Sequence, residues 1–423
     1  MASLKAVTQG TYRVCPPEDT LARIRPLFPL LGITRLADVT SLDVLGIPVY
    51  EAIRPSSRNL VVTEGKGLSP VLAQVSAAME SIEFWHAEDV SIHRWSTAKE
   101  LDNELGYEFS DMASSQGMNV SWHDDVTPDW SLLDDETLIP WVKAQFLGQT
   151  RNTWVPHGRI ELDFTLSTEW RPPLFLNSSK GLASGNTVQE AALYAVYEVL
   201  ERHAFASCHR HMRRPVPLRE LAGAGSAQLV EHFHRVGVTV EVFDVSEPIA
   251  TPCYNARIWS EDFPLPSAGL GCHLDADAAL CRALTEAAQS RLAKISGARD
   301  NISTRVYEAL DDSTSSELAA NTSESSTYVP PESASSETLA EDLGTMSKRI
   351  RDLNQGDAII ADLSRPDIGV PVVKVIAPHL RLERPPAQWS LWDPPYRHRR
   401  FAPCCPQLRC NHPSKLSTCF VLD

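Results

Sequence analysis

An α/β (α+β) fold, with helices packed on mixed sheets, is what this sequence predicts, and three observations carry that expectation. Strand-like and helix-like segments alternate from about Val61 to Leu382. Short β-branched or apolar runs are bounded by Gly or Asp, as strands are. Three longer segments repeat apolar residues at helical spacing and carry acidic residues beside them.

Bulk properties fit a globular chain of one large or two ordinary domains: 423 residues, 43% hydrophobic and 22% charged. A net charge of -15 excludes reliance on a broad basic surface for nucleic acid. It leaves room for an anionic ligand held through a bound cation. No run of eighteen apolar residues is present, so no membrane span is expected. The start, Met1-Ala2-Ser3-Leu4-Lys5, has no basic segment leading into an apolar one, so no signal peptide is read and a cytoplasmic location is expected. Nine cysteines without a regular framework suit a reduced compartment.

In chain order, residues 1–60 mix short apolar runs with Pro16, Pro17, Pro26, Pro29 and Pro48, and read as an N-terminal helix-strand lead-in. Residues 61–384 form the main domain. Val238 to Val245, Ala358 to Leu363 and Val370 to Ile376 are its clearest strands, the last with Pro371 near its start, where a strand tolerates it. Residues 311–338, rich in Ser, Thr, Glu and Ala, read as a flexible loop. Residues 385–423 read as a poorly ordered Pro-, Arg- and Cys-rich tail. Its Cys404, Cys405, Cys410, His412 and Cys419 match no CxxC zinc spacing.

The first helix opens after Gly65-Lys66-Gly67, read as a turn, with Ser69 as cap and Pro70 in the first turn. Leu72, Val75, Met79 and Ile82 make its apolar stripe, and Ser76, Glu80 and Glu83 stack beside that stripe. On spacing alone these acids read first as a solvated edge, with a shared cation as the second reading. The second helix runs from Thr187 to about Phe205, with Val188, Ala192, Ala195 and Val199 as its core face. Asn186, Glu190, Glu198 and Glu201 fall within roughly a third of its circumference, with Arg202 at the rim. Thr187 to Glu190 also fits a capping box, in which Glu190 would serve only the helix end. The third helix includes Arg282 to Leu292; Glu286 and Gln289 share a face with Arg282, and a surface Arg282–Glu286 ion pair is the plain reading.

Magnesium takes oxygen ligands and is commonly held by one or two carboxylates together with substrate phosphates. Carboxylates from separate helices, with Lys or Arg and a Gly-rich segment, suit a metal–phosphate site, although GxxxxGK[ST] is absent.

At these residues the chain resembles the YcaO family. The similarity rests on Gly65-Lys66-Gly67 with Ser76, Glu80 and Glu83; on Gly181 to Thr187 leading into Glu190 and Glu198-Val199-Leu200-Glu201-Arg202; on Glu286 to Leu292 followed by Ile295 to Asp300; and on Asp367 to Val375. His203 departs from the Asp that more often follows Glu-Arg. The resemblance implies ATP and Mg2+ as cofactors. It implies Glu80, Glu83, Glu190, Glu198 and Glu201 as metal or phosphate-site ligands. Lys66, Ser76, Asn186, Gln189, Arg202, Glu286 and Gln289 become groups that contact the nucleotide or order the acids.

It further implies O-phosphorylation of backbone amides in a ribosomally made peptide or protein; no single catalytic residue is assigned. Azoline-forming members typically end in Pro-x-Pro-x-Pro, whereas Ser417 to Asp423 lacks that pattern. Thioamidation, with a TfuA-like sulfur-delivery protein, is therefore the expectation. Azoline-forming cyclodehydration with a leader-peptide-binding partner and a non-catalytic nucleotide- or peptide-binding scaffold are the alternatives, and a homodimer is compatible with all three.

Overall fold

A computed structural model describes residues 4–8, 10–114, 133–165, 174, 175, 178–208, 213–221, 223–299, 302 and 328–382. Residues 311–327 of the expected loop and the tail from 383 onward, with its Cys and His cluster, lie outside these. Helices packed on sheets make up the fold, as the sequence predicts, and the strand pairings among the described residues are antiparallel where mixed sheets are expected.

Three strands, β3 (Arg35–Asp38), β4 (Val49–Ile53) and β5 (Val62–Lys66), form a meander. Helix α3 (Pro70–Ala87) packs on it, with short α1 (Pro17–Ile24) and α2 (Phe28–Leu31) alongside. Gly65 and Lys66 are thus the end of a strand and not a turn. The glycine is needed for contact: a Cβ at Gly65 would lie 1.9 Å from the Ala77 nitrogen, so only hydrogen lets α3 sit this close. Ser69 caps α3 through its side chain, as its spacing predicts.

A four-stranded sheet, β10-β11-β12-β13, consists of Arg214–Pro215, Thr239–Asp244, Cys253–Trp259 and Ser267–Cys272. It is covered by α7 (Ala224–Arg235) and α8 (Ala276–Ser296). Here too a helix touches a strand through glycine: a Cβ at Gly269 would meet the Ala283 carbonyl at 2.2 Å.

The largest sheet joins β6 (Arg94–Ser96), β7 (Ile139–Phe146), β14 (Ile359–Asp362), β15 (Val372–Ile376) and β9 (Leu182–Ser184), with β8 (Asn152–Pro156) on the other edge of β7. Short α4 (Ala98–Leu105) and α5 (Phe109–Ser114) flank it. Helix α6 (Val188–Ser207) lies centrally, against β9, β15, β13 and α9 (Leu339–Asn354). It is buried almost all round, so the single core stripe read for it describes it poorly: Ala192, Ala195 and Val199 are buried, but Val188 is exposed.

The N-terminal hairpin, β1 (Ala6–Thr8) and β2 (Thr11–Arg13), is tied to distant parts of the chain. Lys5 Nζ reaches Asp342 Oδ2 at 2.5 Å at the start of α9, and Ser336 N and Oγ donate to Asp342 Oδ1. Ser335 and Ser336 of the expected loop are held in this way, Ser333 and Ala334 by Ala276 N and the Leu274 carbonyl, and Thr338 caps α9. No helix among the described residues is long and apolar enough to cross a membrane.

Candidate functional site

Helices α3, α6 and α8 and strands β2, β5 and β9 surround a cavity of about 880 Å³, within the usual range for small-molecule sites. All the predicted site residues except Gln189 line it. Gln189 is exposed on the first turn of α6, because one residue along a helix rotates about 100° and Glu190 already faces inward. The acids beside the α3 stripe face the cavity and not bulk water. So do Leu72, Val75 and Met79, while Ala73, Ala77 and Ile82 supply the core face. An apolar stripe can face a ligand space as readily as a core.

Each acid is positioned by a different partner. Glu83 Oε1 accepts from Ser184 N at 2.7 Å and Ser184 Oγ at 2.6 Å, joining α3 to the end of β9. Glu198 accepts from Gly181 N at 3.1 Å, and Glu201 from Cys272 N at 3.1 Å. Arg202 lies between them, 3.8 Å from Glu198 and 3.9 Å from Glu201. Glu286 pairs with Lys66 at 2.9 Å across the cavity, which replaces the surface Arg282–Glu286 pair read from spacing. The helical neighbour was near in sequence; the lysine that takes the carboxylate is 220 residues away. Gln289 donates to the Glu64 carbonyl at 2.9 Å and so fixes α8 against β5.

Glu190 differs. Arg13 Nη1 and Val14 N each donate to it at 3.0 Å, and Asn186 Nδ2 donates at 3.1 and 3.3 Å. The capping box is half made: Thr187 Oγ1 accepts from Glu190 N, but the Glu190 carboxylate turns to the N-terminal hairpin. Asn186 Oδ1 accepts from Thr20 and Arg23. Ser76 lines the cavity beside Glu80.

Burial pushes Glu83 up to about 8, with Glu80 and Glu198 adding repulsion. It pushes Glu201 up to about 7, with Glu286 adding to it. Glu80 and Glu198 shift upward from the same cause. Burial also opposes the charged form of Glu286, but Lys66, Arg202 and Arg282 hold it below the ordinary range. Desolvation would lower Arg202, yet Glu201, Glu286 and Glu198 hold it well above its usual value. Burial and mutual repulsion thus disfavour the charged forms of Glu80, Glu83, Glu198 and Glu201.

Two contributions were not read from the sequence. Arg13 comes from the N-terminal hairpin, and nothing in Tyr12-Arg13-Val14 marks it; only the fold brings it to α6. Glu64 directly precedes Gly65-Lys66-Gly67 and lines the cavity 2% exposed, and neither of its carboxylate oxygens has a hydrogen-bond partner. Burial raises it to about 7, against the opposing pull of Arg299. A buried acid with two oxygens lacking donors, and Arg299 Nη1 3.6 Å away as its ion-pair partner, fits a cavity built for cations. Among the described residues no three His, Cys, Asp or Glu side chains lie close enough to hold one metal unaided.

A family described as YcaO cyclodehydratase, ATP- and Mg2+-binding, matches residues 64–381. An uncharacterized protein of Mycobacterium tuberculosis (Rv1375) is 36% identical over 381 residues, covering 88% of this chain and 83% of its own. An uncharacterized protein in the tfuA 3' region of Rhizobium leguminosarum bv. trifolii is 32% identical over 393 residues, covering 88% and 89%. The fold is similar to the solved structure of YcaO from Methanopyrus kandleri bound with AMPPCP and Mg2+, with a TM-score of 0.62 at 21% identity over 89% of this chain and 94% of that one. It is also similar to a heterocyclase in complex with substrate and cofactor, with a TM-score of 0.72 at 21% identity; the match takes in 90% of this chain but only 54% of the heterocyclase. The chain belongs to the YcaO family of ATP- and Mg2+-dependent peptide-modifying enzymes.

Proposed function

We propose that the chain activates backbone amides of a ribosomally made peptide or protein with ATP, and that the product is a thioamide. The observation that carries the amide activation is the convergence of carboxylates from three helices on one cavity that also holds Lys66 and Arg202. Phosphoryl transfer asks mainly for positioning and charge neutralisation. Glu80, Glu83, Glu198 and Glu201 would hold magnesium, which supplies that neutralisation when bound. Lys66 sits where it can leave Glu286 for a phosphate, and Arg202 spans two acids from a position that also faces the cavity. Ser184 fixes one oxygen of Glu83, and the Cys272 and Gly181 amides fix one oxygen each of Glu201 and Glu198. An amide oxygen carried off as phosphate leaves its carbon open to a nucleophile, and sulfide in that role gives a thioamide.

The thioamide branch is supported by the relative in the tfuA 3' region, which suggests a TfuA-like partner for sulfur delivery. The heterocyclase likeness favours a second reading, azoline formation by a Cys, Ser or Thr of the substrate. Incubation of the protein with ATP, Mg2+, sulfide, a TfuA-like partner and its peptide separates them by mass spectrometry. Exchange of one oxygen for sulfur supports the thioamide. Loss of one water without sulfur gain overturns it in favour of azoline, and no ADP release with any peptide overturns both.

A further inference from the structure

The charged residue of β15 is Lys374, between Val373 and Val375 on a strand that is buried throughout. It stands opposite Ala361 of β14 on one side and Leu182 of β9 on the other. Strand alternation puts it on the α3 face of the sheet with Val372 and Ile376, while Val373 and Val375 pack toward α6. Lys374 is 3% exposed; its Nζ donates to the Ser178 carbonyl, and among the described residues no carboxylate pairs with it. Lysine is rarely buried without a paired charge, and here it gives up hydration that an aliphatic side chain would not. Burial pushes it down to about 7, with Arg159 adding to the shift and Glu198 opposing it. Protonated or neutral, it keeps an N–H for the carbonyl.

That bond holds the turn leading into β9. Lys374 ties the turn at the Ser178 carbonyl, Leu182 N at the Ser179 carbonyl (2.8 Å) and Val375 N at the Gly181 carbonyl (2.8 Å). Gly181 takes φ +80°, and a Cβ there would lie 2.3 Å from the Val375 carbonyl oxygen, so turn and strand meet backbone to backbone. From this turn Gly181 N donates to Glu198 Oε2 at 3.1 Å. We propose that Lys374 is a positioning residue for the metal centre, fixing the 178–181 turn so that the Gly181 N–H aligns the Glu198 carboxylate for a cation. Lys374 does not line the cavity and acts through the turn alone. The inference rests on the reading of Glu198 as a magnesium ligand and adds to it a residue from outside the cavity.

The test titrates Mn2+ into the full chain with AMPPCP present, following bound ion by electron paramagnetic resonance and folding by circular dichroism. Lys374→Met keeps an unbranched apolar stem and removes the donor. It should weaken the ion about 10- to 100-fold, as loss of an outer-shell partner of a metal ligand does. The Mg2+ needed for half-maximal ADP release should rise by a similar factor while the peptide KM holds. In a Glu198→Gln background the same substitution should change Mn2+ affinity by less than about twofold, because its effect passes through Glu198. Gly181→Ala, which forces the same turn off β15 with Lys374 intact, should reproduce the weakening. Wild-type Mn2+ affinity in Lys374→Met, or in Gly181→Ala if Lys374→Met does not fold, overturns the inference and leaves the metal reading standing. An equal loss in the wild-type and Glu198→Gln backgrounds also overturns it, making Lys374 a support of the fold alone. A wild type that binds no Mn2+ with AMPPCP overturns the metal reading together with this one.

Discussion

At the first turn of α6, Glu190 receives donors from Arg13, Val14 and Asn186; about two and three turns later, Glu198 and Glu201 each receive one backbone N–H and a distant Arg202. All three are glutamates facing one cavity from one helix. The difference separates a carboxylate whose capacity the fold consumes from carboxylates whose capacity is left over. Hydrogen-bond saturation, more than burial or spacing, tells which acids bind the chain together and which await a ligand.

Substitution at the unsaturated end should have the largest effect. Glu201→Gln and Glu83→Gln should lower peptide-dependent ADP release about 10³-fold, the size of loss seen when one preorganised electrostatic group is removed. Their melting temperatures should hold or rise, and a fall would show that these acids serve the fold after all. Arg13→Ala should act in the opposite sense, costing about 2–3 kcal/mol in denaturant unfolding because buried Glu190 loses its cation and keeps only the Val14 and Asn186 donors.

Proton linkage sharpens the contrast. The folded-state values of Glu83 and Glu201 are raised above their ordinary 4.5, to about 8 and about 7. The folded state therefore binds more protons than the unfolded one between those limits, and metal-free stability should fall as pH rises through this window. Melting curves should register the loss, and magnesium should reverse it. Lys66→Met should weaken nucleotide binding roughly tenfold in calorimetry, since it removes a cation and releases Glu286 to shift upward. Gln189→Ala, on the exposed face, should change stability by less than about 0.5 kcal/mol and leave turnover alone.

The three helices and the acids on them were legible in the sequence because helical spacing is local. Ser69 and Thr187 marked their starts for the same reason. The strand identity of Gly65-Lys66 was not legible, since a glycine that permits helix contact looks like a glycine that permits a turn. Met79 lies in the core as the stripe predicts, but it also lines the cavity with the half-buried Leu72 and Val75, because periodicity reports a face without saying what lies opposite. Arg13 and the Lys66–Glu286 pair depend on residues far apart in the chain, and no local pattern encodes them.

The Lys5–Asp342 contact joins residues 337 apart, and it anchors the hairpin whose Arg13 completes the Glu190 end of the cavity. Closing so wide a span adds little entropy over a shorter one, but it orders events. The hairpin leaves the ribosome long before α9 and finds its anchor only when α9 has emerged. A nascent chain cut short before α9 carries every acid of the centre yet lacks the clasp on its first wall. The timing of synthesis thereby becomes a check on when the centre can be assembled.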